Sequence, residues 1–278
     1  MNISRNNIIQ SKHNNPILLD YGYKTTQQQK PVVVFAHGFK GFKDWGHFNK
    51  MMEFFIANNF VFVKFNFSHN GGTIEQPIDF PDLEAFGNNN YTKELDDLEM
   101  VVSWVEQNKL IPKEEINGNE IYLIGHSRGG GVSIIHAFED KRIKKLVTWA
   151  AVSDFLLRLP QDLTKWKTDG VLYVENGRTH QQMPMYYQFV EDNLKNKERL
   201  NICKAAEKLT VPHLIVHGTN DEAVHVSEAK NLKLWNATSE LFLVEGGNHT
   251  FGAKHPFEDD HFPVDVQLVL EKTVAFLK

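Results

Sequence analysis

Residues 121–131 read Ile121-Tyr122-Leu123-Ile124-Gly125-His126-Ser127-Arg128-Gly129-Gly130-Gly131, and a helical stretch, Val132–Phe138, follows. A short apolar run thus passes through Gly-x-Ser-x-Gly into a helix. A serine on so tight a strand-to-helix turn takes strained dihedrals that expose its hydroxyl. The residues two before and two after it must be small, and Gly125 and Gly129 meet that need. The turn sets Ser127 at a helix N-terminus, where free N–H groups and the helix dipole favour negative charge. The bare pattern arises by chance in about one chain in ten at ordinary glycine usage. A buried-type strand directly before it makes chance a poor account. A phosphate-binding turn is the bland alternative, but no Gly-Lys-Ser/Thr follows, as a nucleotide P-loop requires.

The same rhythm extends in both directions. The short runs Val32–Ala36, Phe60–Phe65, Ile121–Ile124, Leu146–Ala150, His213–Val216 and Leu241–Val244 are nearly continuous in hydrophobicity. Strands covered on both faces read this way. Between them lie amphipathic stretches. In Thr92–Lys109, residues Leu95, Leu98, Val101, Val102 and Val105 follow helical spacing, and Val264–Lys278 gives a C-terminal helix. The alternation predicts an α/β fold: a mostly parallel central sheet with helices on both faces. An edge hairpin using Ile17–Leu19 is expected in the polar first 30 residues. Residues 154–210 break the rhythm. They predict a small inserted cap: a β-ribbon over Gly170–Gln181 turning at Asn176-Gly177, then a charged helix near Gln188–Lys204. The core is then 1–153 with 211–278.

Ligands of such sheets bind beyond the carboxyl ends of the strands, so the residues just after each run matter most. A serine hydroxyl needs a positioned base, and in this architecture the order is Ser, acid, His. His213–Val216 leads to His217-Gly218-Thr219-Asn220-Asp221-Glu222, and Leu241–Val244 leads to Glu245-Gly246-Gly247-Asn248-His249. Asp221 is expected to orient His249, and His249 to take the Ser127 proton. Glu222 and Asp154 are rival acids. His255 and His261 follow His249 at intervals of six, which is not the spacing of a helical zinc site; no metal is expected. Val32–Ala36 runs into His37-Gly38-Phe39-Lys40-Gly41. The backbone N–H groups of Phe39 and Arg128 are the expected oxyanion donors. His37 reads as structural, and Ser68–Gly72 as a loop near the pocket.

Composition narrows the function classes. The 278 residues carry a net charge of −5, with 41% hydrophobic and 23% charged residues, which is ordinary globular usage. No basic stripe suggests a nucleic-acid partner. No apolar run reaches the ~20 residues of a membrane helix, and no signal-peptide h-region is evident. The single cysteine, Cys203, permits neither an internal disulfide nor a cysteine zinc site. These features fit a cytoplasmic enzyme acting on a small molecule; a homodimer stays open.

The His-Gly-Phe loop, Gly-His-Ser-Arg-Gly, the His-Gly-Thr-Asn-Asp turn and the Gly-Gly-Asn-His turn together resemble the α/β-hydrolase superfamily over about residues 31–278. Within it the chain is similar to the dienelactone-hydrolase-like and feruloyl (cinnamoyl) esterase-like branch. That branch shares the single-aromatic oxyanion loop, the His-Gly-Thr-x-Asp-x-x-Val turn (His217–Val224) and a cap with a β-hairpin. The resemblance implies a cofactor-free serine esterase acting on a small-molecule ester, with aryl or cinnamoyl esters as candidates. Dienelactone hydrolases proper use cysteine, so Ser127 leans to esterase. Feruloyl-type relatives often carry Gln where this chain has Arg128. His126, Met185 and Tyr186 are the expected substrate contacts. Lys40, Lys43 and Arg128 either meet an acidic substrate group or sit on solvated surface. An oligopeptide or acyl-peptide serine hydrolase, and a non-catalytic binding protein on the same scaffold, are the competing readings.

Overall fold

The computed structural model describes residues 1–278. Ten strands form: β1 (Asn2–Gln10), β2 (Pro16–Tyr23), β3 (Lys30–Ala36), β4 (Val61–Asn66), β5 (Ile116–His126), β6 (Ile143–Trp149), β7 (Val171–Glu175), β8 (Gln182–Tyr186), β9 (His213–Gly218) and β10 (Glu240–Val244). Eight of them make one sheet in the order β1-β2-β4-β3-β5-β6-β9-β10. The pairs β1–β2 and β2–β4 are antiparallel and the remaining pairs parallel. The expected edge hairpin is thus β1–β2, with Ile17, Leu18 and Leu19 buried on its inner strand.

Alternating side chains on each central strand go to opposite faces, and both faces are covered. On β3, Val32 and Val34 join one core and Val33 and Phe35 the other. On β5, Ile121 and Leu123 divide from Tyr122 and Ile124 in the same way. That is why these strands are apolar at every position. Nine α-helices accompany the strands: α1 (Phe48–Ala57), α2 (Leu83–Gly87), α3 (Tyr91–Gln107), α4 (Arg128–Glu139), α5 (Thr164–Asp169), α6 (Gln188–Lys195), α7 (Ile202–Lys208), α8 (Val226–Trp235) and α9 (Val264–Leu277). Helices α3, α4 and α8 bury Val101, Val132 and Ala229 in the first core. Helices α1 and α9 bury Met51 and Val266 in the second. The structure is thus an α/β-hydrolase fold. No helix is long and apolar enough to cross a membrane.

Residues 154–210 differ from the expectation in detail. The ribbon is longer than read from sequence: β7 and β8 pair antiparallel from Val171↔Tyr186 to Glu175↔Gln182. Asn176 opens the connection, its N–H bonding the Gln181 carbonyl, so the loop is wider than a two-residue turn. The single charged helix is two, α6 and α7. Residues 196–201 separate them, and Asn201 caps α7 by accepting from the Lys204 N–H.

Candidate active site

Ser127 lies between β5 and α4 at φ 57° and ψ −120°. A side chain is strained there, and two close approaches hold it. A Cβ on Gly125 would stand 2.5 Å from the Gly129 carbonyl oxygen, and one on Gly129 would stand 2.4 Å from the His37 oxygen. Only glycine lets strand and helix come this near. Ser127 occupies the N-cap position of α4, yet its hydroxyl makes no capping bond. It lies 3.1 Å from His249 Nε2 instead.

His249 comes from the loop after β10. Asn248 shapes that loop, its Oδ1 accepting from the N–H groups of Thr250 at 3.1 Å and Gly252 at 2.8 Å. The other ring nitrogen, Nδ1, lies 2.8 Å from Asp221 Oδ2. Asp221 follows β9 and is buried. Its Oδ1 accepts from the N–H groups of Ala223 and Val224 at 2.9 and 2.8 Å. Burial alone would raise its pKa; hydrogen bonds from His217 and His249 outweigh that and hold it well below the usual carboxylate range. Asp221 is therefore an anion beside His249. The rival acids lie elsewhere: Glu222 is exposed, and Asp154 caps a surface turn through the Leu156 N–H.

The loop after β3 closes the third side. A Cβ on Gly38 would lie 2.8 Å from the Ser127 Cβ. The backbone N–H groups of Phe39 and Arg128 donate to no other protein group. His37 holds this loop, with Nδ1–H donating to the Gly38 carbonyl at 2.9 Å and Nε2 accepting from the Phe67 N–H at 3.4 Å. Burial lowers its pKa to about 4, so the ring is neutral at pH 7.

Two cavities flank Ser127. The larger, about 650 Å³, is walled by Phe39, Tyr91, Trp166, Met185 and Phe189 beside Arg128. Its size is that of a small-molecule site. The smaller, about 210 Å³, is bounded by Gly38, Trp45, His126, Asn176 and Thr250. Both reach Ser127 and His249.

The expected substrate contacts divide. Met185 lines the larger cavity. His126 lines the smaller one, and its Nε2–H is spent on the His249 carbonyl at 3.0 Å. Burial first, and then His249, lower its pKa to about 3. Tyr186 corrects the sequence reading. It lines neither cavity; its ring packs over Gly87 and its hydroxyl donates to Glu84. Strand alternation explains this, because adjacent residues of β8 face opposite ways. Ser68 and Asn70 also depart from the expectation, lining a separate groove of about 160 Å³.

Lys43 is neither solvated nor in the site. It is buried in an ion network with Asp20, Asp44 and Lys64. Sequence reasoning missed Tyr91, Arg158 and Glu94, which lie far in sequence from every motif. Tyr91 stacks on Phe155 with centroids 3.7 Å apart. His255, near His249 in sequence, accepts from the Gly46 N–H at 2.8 Å.

The BD-FAE family profile matches residues 19–235. The chain belongs to the BD-FAE family. Curated relatives are more distant. A Monkeypox virus protein described as a monoglyceride lipase homolog is 27% identical over 179 residues, covering 56% of this chain and 64% of its own. A Mycoplasma genitalium protein named as an esterase/lipase is 25% identical over 183 residues, covering 66% of this chain and 57% of its own. The chain thus spans about three fifths of the length of the curated relatives it matches. Among solved structures, Est1E from Butyrivibrio proteoclasticus with ferulic acid bound superposes with a TM-score of 0.74 at 20% identity, covering 97% of each chain. The α/β hydrolase GrgF from Penicillium sp. sh18 gives 0.68 at 18% identity, covering 100% of this chain and 98% of its own. At these identities the likeness is one of fold. The BD-FAE match extends from β2 to the end of α8, and so includes Ser127 and Asp221 but stops before His249.

Proposed function

We propose that this protein is a serine esterase that cleaves carboxylic esters through an acyl-enzyme on Ser127. The observation that carries this reading is the hydrogen-bonded line from Ser127 Oγ through His249 to Asp221, at 3.1 and 2.8 Å. His249 Nε2 takes the Ser127 proton as Oγ attacks the ester carbonyl. Asp221, anionic and tied to backbone N–H groups, keeps the Nδ1–H tautomer and offsets the imidazolium charge. The free N–H groups of Phe39 and Arg128 receive the negative charge that develops on the carbonyl oxygen. The protonated His249 then gives its proton to the leaving alcohol, and the acyl group stays on Ser127. Water deprotonated by His249 attacks the acyl carbonyl, and the acid leaves with Oγ reprotonated.

No step calls for a metal or cofactor. The larger cavity suits the bulkier half of the ester, and its aromatic wall of Tyr91, Trp166 and Phe189 fits an aryl or cinnamoyl group. The similarity to Est1E and the names of the curated relatives support ester chemistry. Intact mass after incubation with a fluorophosphonate tests the mechanism. One adduct is expected on wild type and none on Ser127→Ala. A panel of aryl, cinnamoyl and short-chain esters should be turned over by wild type alone. A folded wild type that takes no adduct and cleaves no ester overturns the reading.

A further inference from the structure

The larger cavity has a one-sided charge. Its wall carries three cationic side chains, Lys40, Arg128 and Arg158, and no carboxylate. They are not equivalent. Arg158 is neutralised from behind by Glu228 and also donates to the Ala223 carbonyl. Lys40 donates to the Glu175 carbonyl at 2.9 Å, and burial and Arg128 lower its pKa by more than the Glu175 charge raises it.

Arg128 is the least satisfied. Its side chain is 10% exposed, and its guanidinium makes one hydrogen bond, a long one of 3.4 Å to Glu94. Aromatic rings hold it in place, with Phe39 4.0 Å, Tyr91 5.1 Å and Phe189 5.4 Å from the guanidinium carbon. A guanidinium has five N–H donors, so most of this fork is unspent at a cavity wall. Glu94 answers it poorly. One of its oxygens is shared with Asn89 and the other, buried, has no partner. Burial raises the Glu94 pKa despite Arg128. Burial first and then Arg128 lower that of Lys40. Burial thus weakens the Glu94 carboxylate as a counter-charge to Arg128, and the crowding of Lys40 against Arg128 adds to the charge left uncompensated at this wall.

Resting on the esterase reading, we propose that this cavity seats a free carboxylate of the substrate on Arg128, with Lys40 beside it. The enzyme is thereby directed to acidic esters such as half-esters of dicarboxylic acids. A carboxylate matches the planar donor fork in two parallel hydrogen bonds. A single negative charge suits a wall with one underused guanidinium and otherwise mostly apolar lining. A dianionic phosphate would need Lys40 as a second full partner, and Lys40 is already tied to the Glu175 carbonyl. The aromatic stack serves the same end. It fixes the guanidinium plane before binding, so little rotamer freedom is lost when the acid arrives.

The test is calorimetric and uses Ser127→Ala, which binds an ester without cleaving it. The probes are monomethyl adipate and dimethyl adipate at pH 7. In either orientation the long arm goes to the larger cavity. The half-ester should bind at least tenfold more tightly. Adding Arg128→Gln should bring the ratio close to one, and adding Glu94→Gln instead should widen it. Destabilisation alone would not move the two variants in opposite directions. If Arg128→Gln does not fold, Glu94→Gln decides, and an unchanged or narrower ratio overturns the proposal. Equal binding of the two probes to Ser127→Ala also overturns it. Benzoate and phenyl phosphate separate the two anions: phenyl phosphate binding tenfold more tightly overturns the carboxylate assignment. Because no turnover is read, a failure of the esterase mechanism shows in the fluorophosphonate experiment and not here.

Discussion

His217 Nε2 lies 3.3 Å from the Asp221 oxygen that His249 Nδ1 reaches at 2.8 Å. The same nitrogen is 2.7 Å from the Val224 carbonyl. A carbonyl can only accept, so Nε2 carries the proton and points it between Val224 and Asp221. Two imidazole rings therefore address one carboxylate oxygen. One faces Ser127, and the other is fully buried and touches no cavity wall near Ser127.

Under the esterase reading, that arrangement predicts a positioning role for His217. A hydrogen bond to a charged group contributes roughly 1.5–3 kcal/mol. His217→Leu is expected to lower kcat by about tenfold, roughly 1.4 kcal/mol of barrier. KM should change little, because His217 lines neither cavity. Steady-state kinetics on an activated aryl ester checks this. A changed KM with constant kcat would show that the pair acts on substrate binding instead.

Ser127 stores backbone strain at its positive φ. Glycine takes such dihedrals without a Cβ penalty. Ser127→Gly should abolish turnover while raising stability by about 1 kcal/mol or more. Ser127→Ala, which keeps the Cβ, should not share the gain. Urea midpoints of the three proteins decide the matter. Equal midpoints for the glycine and alanine variants would mean that the turn is not strained.

Gly129 has no room to grow, since its added Cβ would meet the His37 and Ala36 carbonyl oxygens at 2.4 and 2.5 Å. Backbone atoms cannot rotate away as a side chain can. Gly129→Ala should cost about 3 kcal/mol, near the upper end of overpacking penalties. It should also reduce kcat, because the displaced residues lead into the loop that carries the Phe39 N–H. Chemical denaturation and turnover are read on the same sample. Wild-type stability in this variant would contradict the close approach.

Asp97 supplies a pH test outside the site. It is buried, and burial raises its pKa to about 7 against the pull of the Ser68 hydrogen bonds. Its Oδ1 has no partner. An unfolded aspartate releases its proton at about pH 4, but the folded protein keeps this one to about pH 7. Between those values the folded state binds more protons, so stability falls as pH rises. Every tenfold difference in acidity between the two states corresponds to about 1.4 kcal/mol. Asp97→Asn removes that dependence. Its stability relative to wild type should climb by a few kcal/mol, on the order of the linkage value, between pH 4.5 and pH 8. A constant difference across this range would show that Asp97 is ionised in the fold.

Much of this protein is local in its sequence. The runs that became β3, β5, β6 and β9 are apolar at consecutive positions because both of their faces are covered. That pattern can be read without knowing what covers them. Ser127, Asp221 and His249 each follow a strand directly. The parallel sheet brings strand ends to one edge, so their convergence could be argued before any distance was measured. The glycines flanking Ser127 are likewise a local steric demand.

The cavity wall is of a different kind. Tyr91 starts α3, Phe189 lies in α6, and Arg128 lies beside Ser127 itself. Their meeting depends on how the segment 154–210 seats over the sheet, a packing choice with no periodic signature. Tyr186 and Met185 show the limit most plainly. They are neighbours in sequence with similar apolar bulk, and the registry of β8 against β7 alone decides which one faces the site. Arg128 and Lys43 make the same point for charge. Sequence left both open between a substrate-facing cation and a solvated one, and each is buried, one against aromatic rings and the other among carboxylates. Secondary-structure period and strand-end chemistry are properties of the chain, so the fold class and the order of the candidate reactive groups could be read from residues alone. Side-chain burial and the pairing of charges depend on contacts between distant segments, so the character of the cavity emerges only when those segments pack.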